Sequence, residues 1–360
     1  VALPASARVA ALSAFAAEAG VALEHGGPGE ALGYRVRARL AIRGRAGAPE
    51  LGIFEEGTHR VVDIPRCVVH DPLVNDTASL VKQALRDLHV APYADDTHGG
   101  LLRYAQIVVE RESQRVQVVL VVNAQKHALA PFTPLCERVA SLLGARLHGL
   151  FLSPNPARGN AILGPSCELV TGSGAVREVI AGAEVFFPPD AFGQANLGVY
   201  ERIVRRISGF VPDAARVLEL YAGTGAIGLS LAPRAAHVAF NEIGGGSLRG
   251  LEMGIAALSP ALRARTAIHP GRAGEHAARV AGADVVIADP PRKGLDAELR
   301  AALQAAPPAR FVYLSCGLGA FLADARALLA AGRLRLTSLC AYDMFPFTGH
   351  VETLAVFERA

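Results

Sequence analysis

The chain has 360 residues, 51% of them hydrophobic and 19% charged, enough apolar material for about two domains with buried cores. That excludes a disordered chain, a collagen or a small disulfide-stapled scaffold. With 36 basic and 33 acidic side chains the formal charge is only +3, too small to dictate a partner, so any nucleic-acid footprint must be local.

The basic residues include only three lysines, Lys82, Lys126 and Lys293, the rest being arginines, whose forked donors suit phosphates. Cys67, Cys136, Cys167, Cys316 and Cys340 are scattered without a C-x-x-C pair or zinc spacing, which predicts a reduced, cytoplasmic protein with no bound metal. The chain begins at Val1 rather than Met, as it would if an upstream portion were missing.

Residues 5–23 are predicted as a helix that stops near Gly26-Gly27-Pro28. Its apolar stretch Val9–Ala17 is interrupted by Glu18 and continues in helical register, so it does not read as a signal peptide, and no run approaches a membrane span. From Tyr34 to Ile42 the period changes to 2, with Val36, Ala38, Leu40 and Ile42 on one face and Arg35, Arg37 and Arg39 on the other. The arginine face is either a phosphate-contacting surface or a solvated one, and the pattern does not separate the two.

A hairpin is expected for Tyr104–Val109 and Val116–Val122 through Arg111-Glu112-Ser113-Gln114, with helices around 74–88 and 134–143. Residues 31–180 therefore form an α+β domain after an N-terminal helix and linker, residues 1–30. From about 197 short apolar runs alternate with turns and helices. Val217–Leu220, His237–Phe240, Val285–Ala288 and Phe311–Leu314 read as buried parallel strands, so residues 181–360 are predicted as a doubly wound α/β domain.

Chemistry concentrates at the ends of those strands. Val217–Leu220 runs through Tyr221 into Gly223-Thr224-Gly225-Ala226-Ile227-Gly228, a turn whose backbone a ligand can approach closely. Glu219 inside the strand would repel a pyrophosphate but suits a cationic ligand bearing an amino acid, and Glu242 after the next strand can accept both ribose hydroxyls. The pair favours S-adenosylmethionine over NAD. Asp289-Pro290-Pro291-Arg292-Lys293-Gly294 makes a rigid lip at a carboxyl edge, where α/β sheets bind ligands. Ser315-Cys316 ends another apolar strand, and Asp343–Glu352 embeds ionisable groups in an apolar segment, where burial would raise Glu352 toward a useful general base. His350 alone reads as a structural histidine.

FGQAN at 192–196, VLELYAGTG at 217–225, DPPRKG at 289–294, Ser315-Cys316 and DMFPFTGHVE at 343–352 occur in an order and spacing that resemble the RNA uracil-C5 methyltransferase family, closest in look to its 23S ribosomal RNA branch. The similarity extends back to about residue 31 through GYRVRARLAIRG, LGIFEEGTHRVVDIPRC and NPARGNAILG. It implies a class I methyltransferase domain and a methyl transfer from S-adenosylmethionine to C5 of a uridine through a cysteine adduct at C6. The nucleophile would be Cys316 and the base Glu352, with Gln194 and Asp289 at the uracil edge and cofactor, and Tyr221, Gly223, Gly225 and Glu242 around the cofactor. Arg292, Arg35, Arg37 and Arg39 are substrate-binding candidates. The implied partner is RNA, ribosomal before transfer RNA.

The chain departs from the family pattern at Ala226, where Asn is common, at Gly317-Leu318, where Asn-Pro is usual, and at Arg272. Those departures keep a second reading open, an RNA-binding relative with weakened catalysis. Only Cys67 matches the cysteines that hold an iron–sulfur cluster in many relatives, so no cluster is expected in this chain.

Overall fold

The computed structural model describes residues 7–27, 29–58 and 60–360. The chain divides into two units. One comprises the described part of Val1–Ala31 with Val179–Phe186 and Asn196–Ala360, the other Leu32–Glu178 with Phe187–Ala195, so the second is inserted in the sequence of the first.

The first unit is built on an eight-stranded sheet in the order Leu23–His25, Leu334–Tyr342, Glu352–Arg359, Arg310–Ser315, Val285–Ala288, Arg216–Leu220, His237–Glu242, Thr266–Pro270. Glu352–Arg359 runs antiparallel to both neighbours and every other pair is parallel. The four apolar runs expected as parallel strands pair with one another as expected. Val285–Ala288 is buried at every position, as befits a parallel strand covered on both faces. Phe311, Tyr313, Phe321 and Phe357 form the centre of the core, joined by Leu12 and Phe15 of the first helix. Phe15 meets Phe321 edge to face at 5.8 Å.

The first helix is shorter than predicted, Ala7–Glu18 rather than 5–23, and positions 5, 6 and Pro28 lie outside the described residues. Gly20 takes a left-handed φ of 71°, which ends the helix, and Leu23–His25 then pairs in parallel with Leu339–Ala341. The expected N-terminal segment 1–30 accordingly contributes an edge strand, Leu23–His25, to the large sheet. The other expected boundary, near 180, is also corrected, because 187–195 belongs with the inserted unit. Among the described residues no helix is long and apolar enough to cross a membrane.

The inserted unit carries a seven-stranded sheet in the order Val61–Asp63, Ala48–Phe54, Arg37–Arg45, Leu102–Glu110, Arg115–Val122, Leu147–Pro154, Glu168–Gly172. Its pairs are antiparallel except Arg115–Val122 with Leu147–Pro154. The predicted hairpin forms, with Gln114 at φ 52° in its turn. Both predicted helices form, at Pro72–Asp87 and Thr133–Leu143, the first capped by Asp71, whose carboxylate accepts the Leu73 N–H at 2.8 Å.

Candidate active site

Sheet register explains how the expected site residues of the first unit come together. Leu220 is level with Asn241 on one side and with Ala288 on the other, so Tyr221, Glu242 and Asp289 leave adjacent strands at one height. Ser315 pairs with Thr353 in the last rung of the antiparallel ladder, so Cys316, the next residue of one chain, and Glu352, the preceding residue of the other, flank that rung at one end. The one antiparallel strand thus brings Glu352, at its start, to the same edge that the parallel strands reach at their ends.

The glycine turn leaves its strand through Tyr221, Gly223 and Gly225, with φ of 56°, 58° and 81°. A Cβ added at Gly223 would meet no heavy atom within 4 Å, so the turn faces open space that a ligand can fill. Glu219 is 3% exposed and its carboxylate accepts the Gly228 N–H at 2.7 Å, which makes it a brace for the helix after the turn. Glu242 accepts N–H groups of Gly223 (2.7 Å), Ile243 (2.9 Å) and Gly244 (2.6 Å). A carboxylate offers about four acceptor positions, so one remains, and Glu242 can take one further hydroxyl rather than the expected two.

Burial pushes Glu219 up to about 8, with the Asp289 and Glu242 carboxylates adding to the rise and the Gly228 N–H opposing it. The folded protein therefore holds a proton that the unfolded chain releases above its ordinary carboxylate range. Stability from this group is fully present at low pH and is lost as pH rises toward 8, by a few kcal/mol. Glu219→Gln keeps an acceptor for Gly228 and removes the titration. The melting temperature of this variant should fall less than that of the wild type between pH 5 and 8, and parallel curves would contradict the assignment.

The proline lip is anchored from below by Asp324, 3% exposed. Its carboxylate accepts the Leu295 N–H (2.9 Å), the Tyr313 hydroxyl (2.9 Å) and Arg300 Nη1 (2.7 Å). Asp296 N–H donates to the Tyr221 hydroxyl at 3.0 Å, tying lip to turn. Asp324→Asn must turn an NH2 toward one of these donors and leaves Arg300 without its partner. A loss of roughly 2–4 kcal/mol is expected in urea denaturation.

At the centre, Glu352 is 3% exposed and its Oε1 has no hydrogen-bond partner among the described residues. Burial, then the Asp289 carboxylate, raise it far above its ordinary value, with Arg292 pulling the other way. Burial likewise raises Asp289 to about 7. The Cys316 thiol is raised by burial and by Glu352 and Asp289, and Arg292 opposes that shift. Three acidic groups and one guanidinium therefore sense one another in a single place.

Cys316 opens into a cavity of about 290 Å3 whose wall also includes Arg8, Arg292, Gly317 and His350. A Cβ on Gly317 would lie 2.5 Å from the Arg292 carbonyl oxygen, so the lip packs where only glycine fits, which explains Gly317 in place of the usual residue. His350, expected as a structural histidine, lines the cavity and bonds Arg8 Nη1 through Nδ1 at 3.0 Å. Sequence reasoning missed Arg8, an exposed residue of an apparently ordinary helix. It also missed Tyr200, buried on Leu197–Gly209, whose hydroxyl is raised by burial and by Asp289, Glu219 and Glu352. Asn196 caps that helix through Val199 N–H (3.2 Å) and donates to the Met344 carbonyl at 3.1 Å, fastening the segment that leads to Glu352.

The remaining candidates belong to the inserted unit. Val36, Ala38, Leu40 and Ile42 are buried as the alternation predicted. The opposite face is not uniformly solvated. Arg37 stacks over Phe187 (5.4 Å), donates to the Ala191 carbonyl (3.1 Å) and is lowered by burial to about 10. Its guanidinium would lie 2.7 Å from a Cβ at Gly193, so it shapes the backbone beside Gln194. Arg35 is half-buried before the strand begins, and only Arg39 is exposed.

No protein-family model matches the sequence. The chain is 33% identical over 336 residues to an uncharacterized RNA methyltransferase of Protochlamydia amoebophila, covering 92% of this chain and 87% of that one. It is 30% identical over 337 residues to an uncharacterized RNA methyltransferase of Parasynechococcus marenigrum, covering 91% and 70%. Among solved structures it is similar to the tRNA (uracil-54, C5)-methyltransferase of Pyrococcus abyssi, solved in complex with S-adenosyl-L-homocysteine. The TM-score is 0.79 at 24% identity over 94% of this chain and 78% of that one, a likeness of fold.

Proposed function

The chain belongs to the RNA methyltransferases, and we propose that it methylates C5 of a uridine in structured RNA through a covalent adduct between Cys316 and C6. The observation that supports this reading is that Cys316 and Glu352 flank the last rung of one ladder, with the Cys316 thiol raised by the charges of Glu352 and Asp289. An amino-group methyltransferase would need neither a thiol nor a buried base.

The open face of the glycine turn and the remaining acceptor on Glu242 fit S-adenosylmethionine, held by Tyr221, Gly223, Gly225 and Glu242. When bound, it supplies an electrophilic methyl group. C5 of uracil is a weak nucleophile until a thiolate adds at C6. Cys316 Sγ bonds to C6, its proton passes to the Asp289 carboxylate, and the C5–C6 π electrons shift toward C5 and O4. Once C5 carries both hydrogen and methyl, Glu352 takes the C5 proton, the C5–H bonding pair restores the C5–C6 double bond, and the S–C6 bond breaks with its pair on sulfur. The departing thiolate recovers the proton from Asp289, leaving one proton on Glu352 for solvent. Asp289, raised by burial to about 7, suits taking and returning a proton near neutral pH, and burial strengthens Glu352 as a base.

The uridine must leave its stack to reach this cavity, and Arg8 and Arg292 at the rim offer charge to the neighbouring phosphates. Ribosomal RNA is the proposed substrate because Asp343–Glu352 resembles the ribosomal branch, with transfer RNA as the alternative. The test is incubation with 5-fluorouridine-substituted 23S ribosomal RNA fragments and with similarly substituted transfer RNA, in the presence of S-adenosylmethionine. Fluorine cannot leave as a proton, so a denaturation-resistant complex should accumulate. A complex with transfer RNA alone reassigns the substrate, and no complex with either overturns the reading.

A further inference from the structure

The inserted unit holds a cavity of about 520 Å3 that the reaction does not use, a size typical of small-ligand sites. Deep in its wall lies Arg103, 4% exposed. Nη1 donates to the carbonyls of Asn155 (2.5 Å) and Ala157 (2.6 Å), and the guanidinium sits 4.5 Å from the centre of the Tyr93 ring. Its Nε has no hydrogen-bond partner, and no carboxylate pairs with it among the described residues. Arginine does not shed its proton, so a buried guanidinium held only by carbonyl dipoles and a ring remains a net cation that an anion would stabilise.

The neighbouring Arg43 makes the contrast. Asp95 grips it with two bonds, 2.6 and 3.0 Å, and it packs over Tyr93 and Tyr104 at 5.1 and 5.4 Å. That pair is neutral and forms a rigid aromatic floor, and it consumes the cavity's acidic group. At the rim, Arg158 is exposed and makes no ion pair among the described residues. Half-buried Tyr104 adds a flat ring to the lining. The cavity therefore pairs unneutralised guanidinium charge with an aromatic wall, the combination that takes a phosphate together with a planar base.

We propose that this cavity binds one unstacked nucleotide of the RNA strand away from the reacting uridine, its phosphate toward Arg103 and Arg158 and its base on the Tyr104 side. The proposal rests on the reading of the chain as an enzyme acting on RNA. A free mononucleotide offers the same chemistry, so the experiment separates the two sources. A short fluorescein-labelled single-stranded RNA is titrated into the full chain, as wild type, Arg158→Ala and Tyr104→Leu, over a range of sodium chloride concentrations and with UMP or AMP as competitor.

Arg158→Ala should weaken binding about fivefold and reduce the slope of log K against log salt by about 0.7, the loss of one phosphate contact on a single strand. Tyr104→Leu should weaken binding about tenfold with an unchanged slope. Because Tyr104 touches the floor, its variant is accompanied by crosslinking of 4-thiouridine RNA to the wild-type protein, which should label the peptide containing Tyr104. Wild-type affinity and slope in Arg158→Ala overturn the site, and so does a mononucleotide that displaces the RNA at equal concentration. The fluorouridine trap is scored separately. A missing adduct with Arg158-dependent binding removes methyl transfer and keeps this site, whereas an adduct without that dependence removes this site alone.

Discussion

Cys316→Ala is expected to abolish methylation, by on the order of 10⁴-fold or more, and to eliminate the complex with fluorouridine RNA. Removing the sulfur removes the only step that makes C5 reactive, so neither higher RNA nor higher cofactor concentration should restore turnover. RNA affinity and melting temperature should change little, because the side chain is only half-buried and opens into a cavity. The wild-type rate should climb as pH rises above neutrality, since burial, Glu352 and Asp289 hold the thiol in its protonated form. Single-turnover kinetics with tritiated methyl donor reads both results. Undiminished methylation by the alanine variant would end the covalent mechanism.

Glu352→Gln should separate the two halves of the reaction. Addition and methylation need the thiol, but release needs a base for the C5 proton, so the variant should accumulate a protein–RNA adduct on ordinary uridine RNA. Multiple turnover should drop roughly 10²–10⁴-fold. The fold should not suffer, because glutamine removes a buried acid whose Oε1 has no partner among the described residues. A denaturing gel distinguishes this arrest from simple inactivity. Normal release by Glu352→Gln would take Glu352 out of the chemistry and leave it a packing residue.

The parallel strands and the glycine turn were legible because apolar runs, glycines and strand-ending acids are local signals. What placed Glu352 was not local. Its strand enters antiparallel between Arg310–Ser315 and Leu334–Tyr342, and no periodicity within residues 343–359 reports which neighbours a strand will choose. Alternation also misled at Arg37, where the period of 2 was right but the outer face is partly roofed by Phe187 and Ala191 from far along the chain. For Glu242 the residue type was informative and its occupancy was not, because three backbone donors of the turn and the following loop claim it first. Arg8 and Arg103 carried no signal at all, since an arginine's importance depends on which carboxylates are absent around it.

The pairing of Leu23–His25 with Leu339–Ala341 also bears on how the polypeptide is made. Leu23–His25 is synthesised roughly 300 residues before its partner, while the inserted unit is complete by residue 195 and is free to fold in the interval. Leu12 and Phe15 share one core with Phe321 and Phe357, so the apolar face of the helix Ala7–Glu18 gains those partners only after about 300 further residues are made. That face is therefore exposed to other contacts for as long as synthesis of the intervening residues takes.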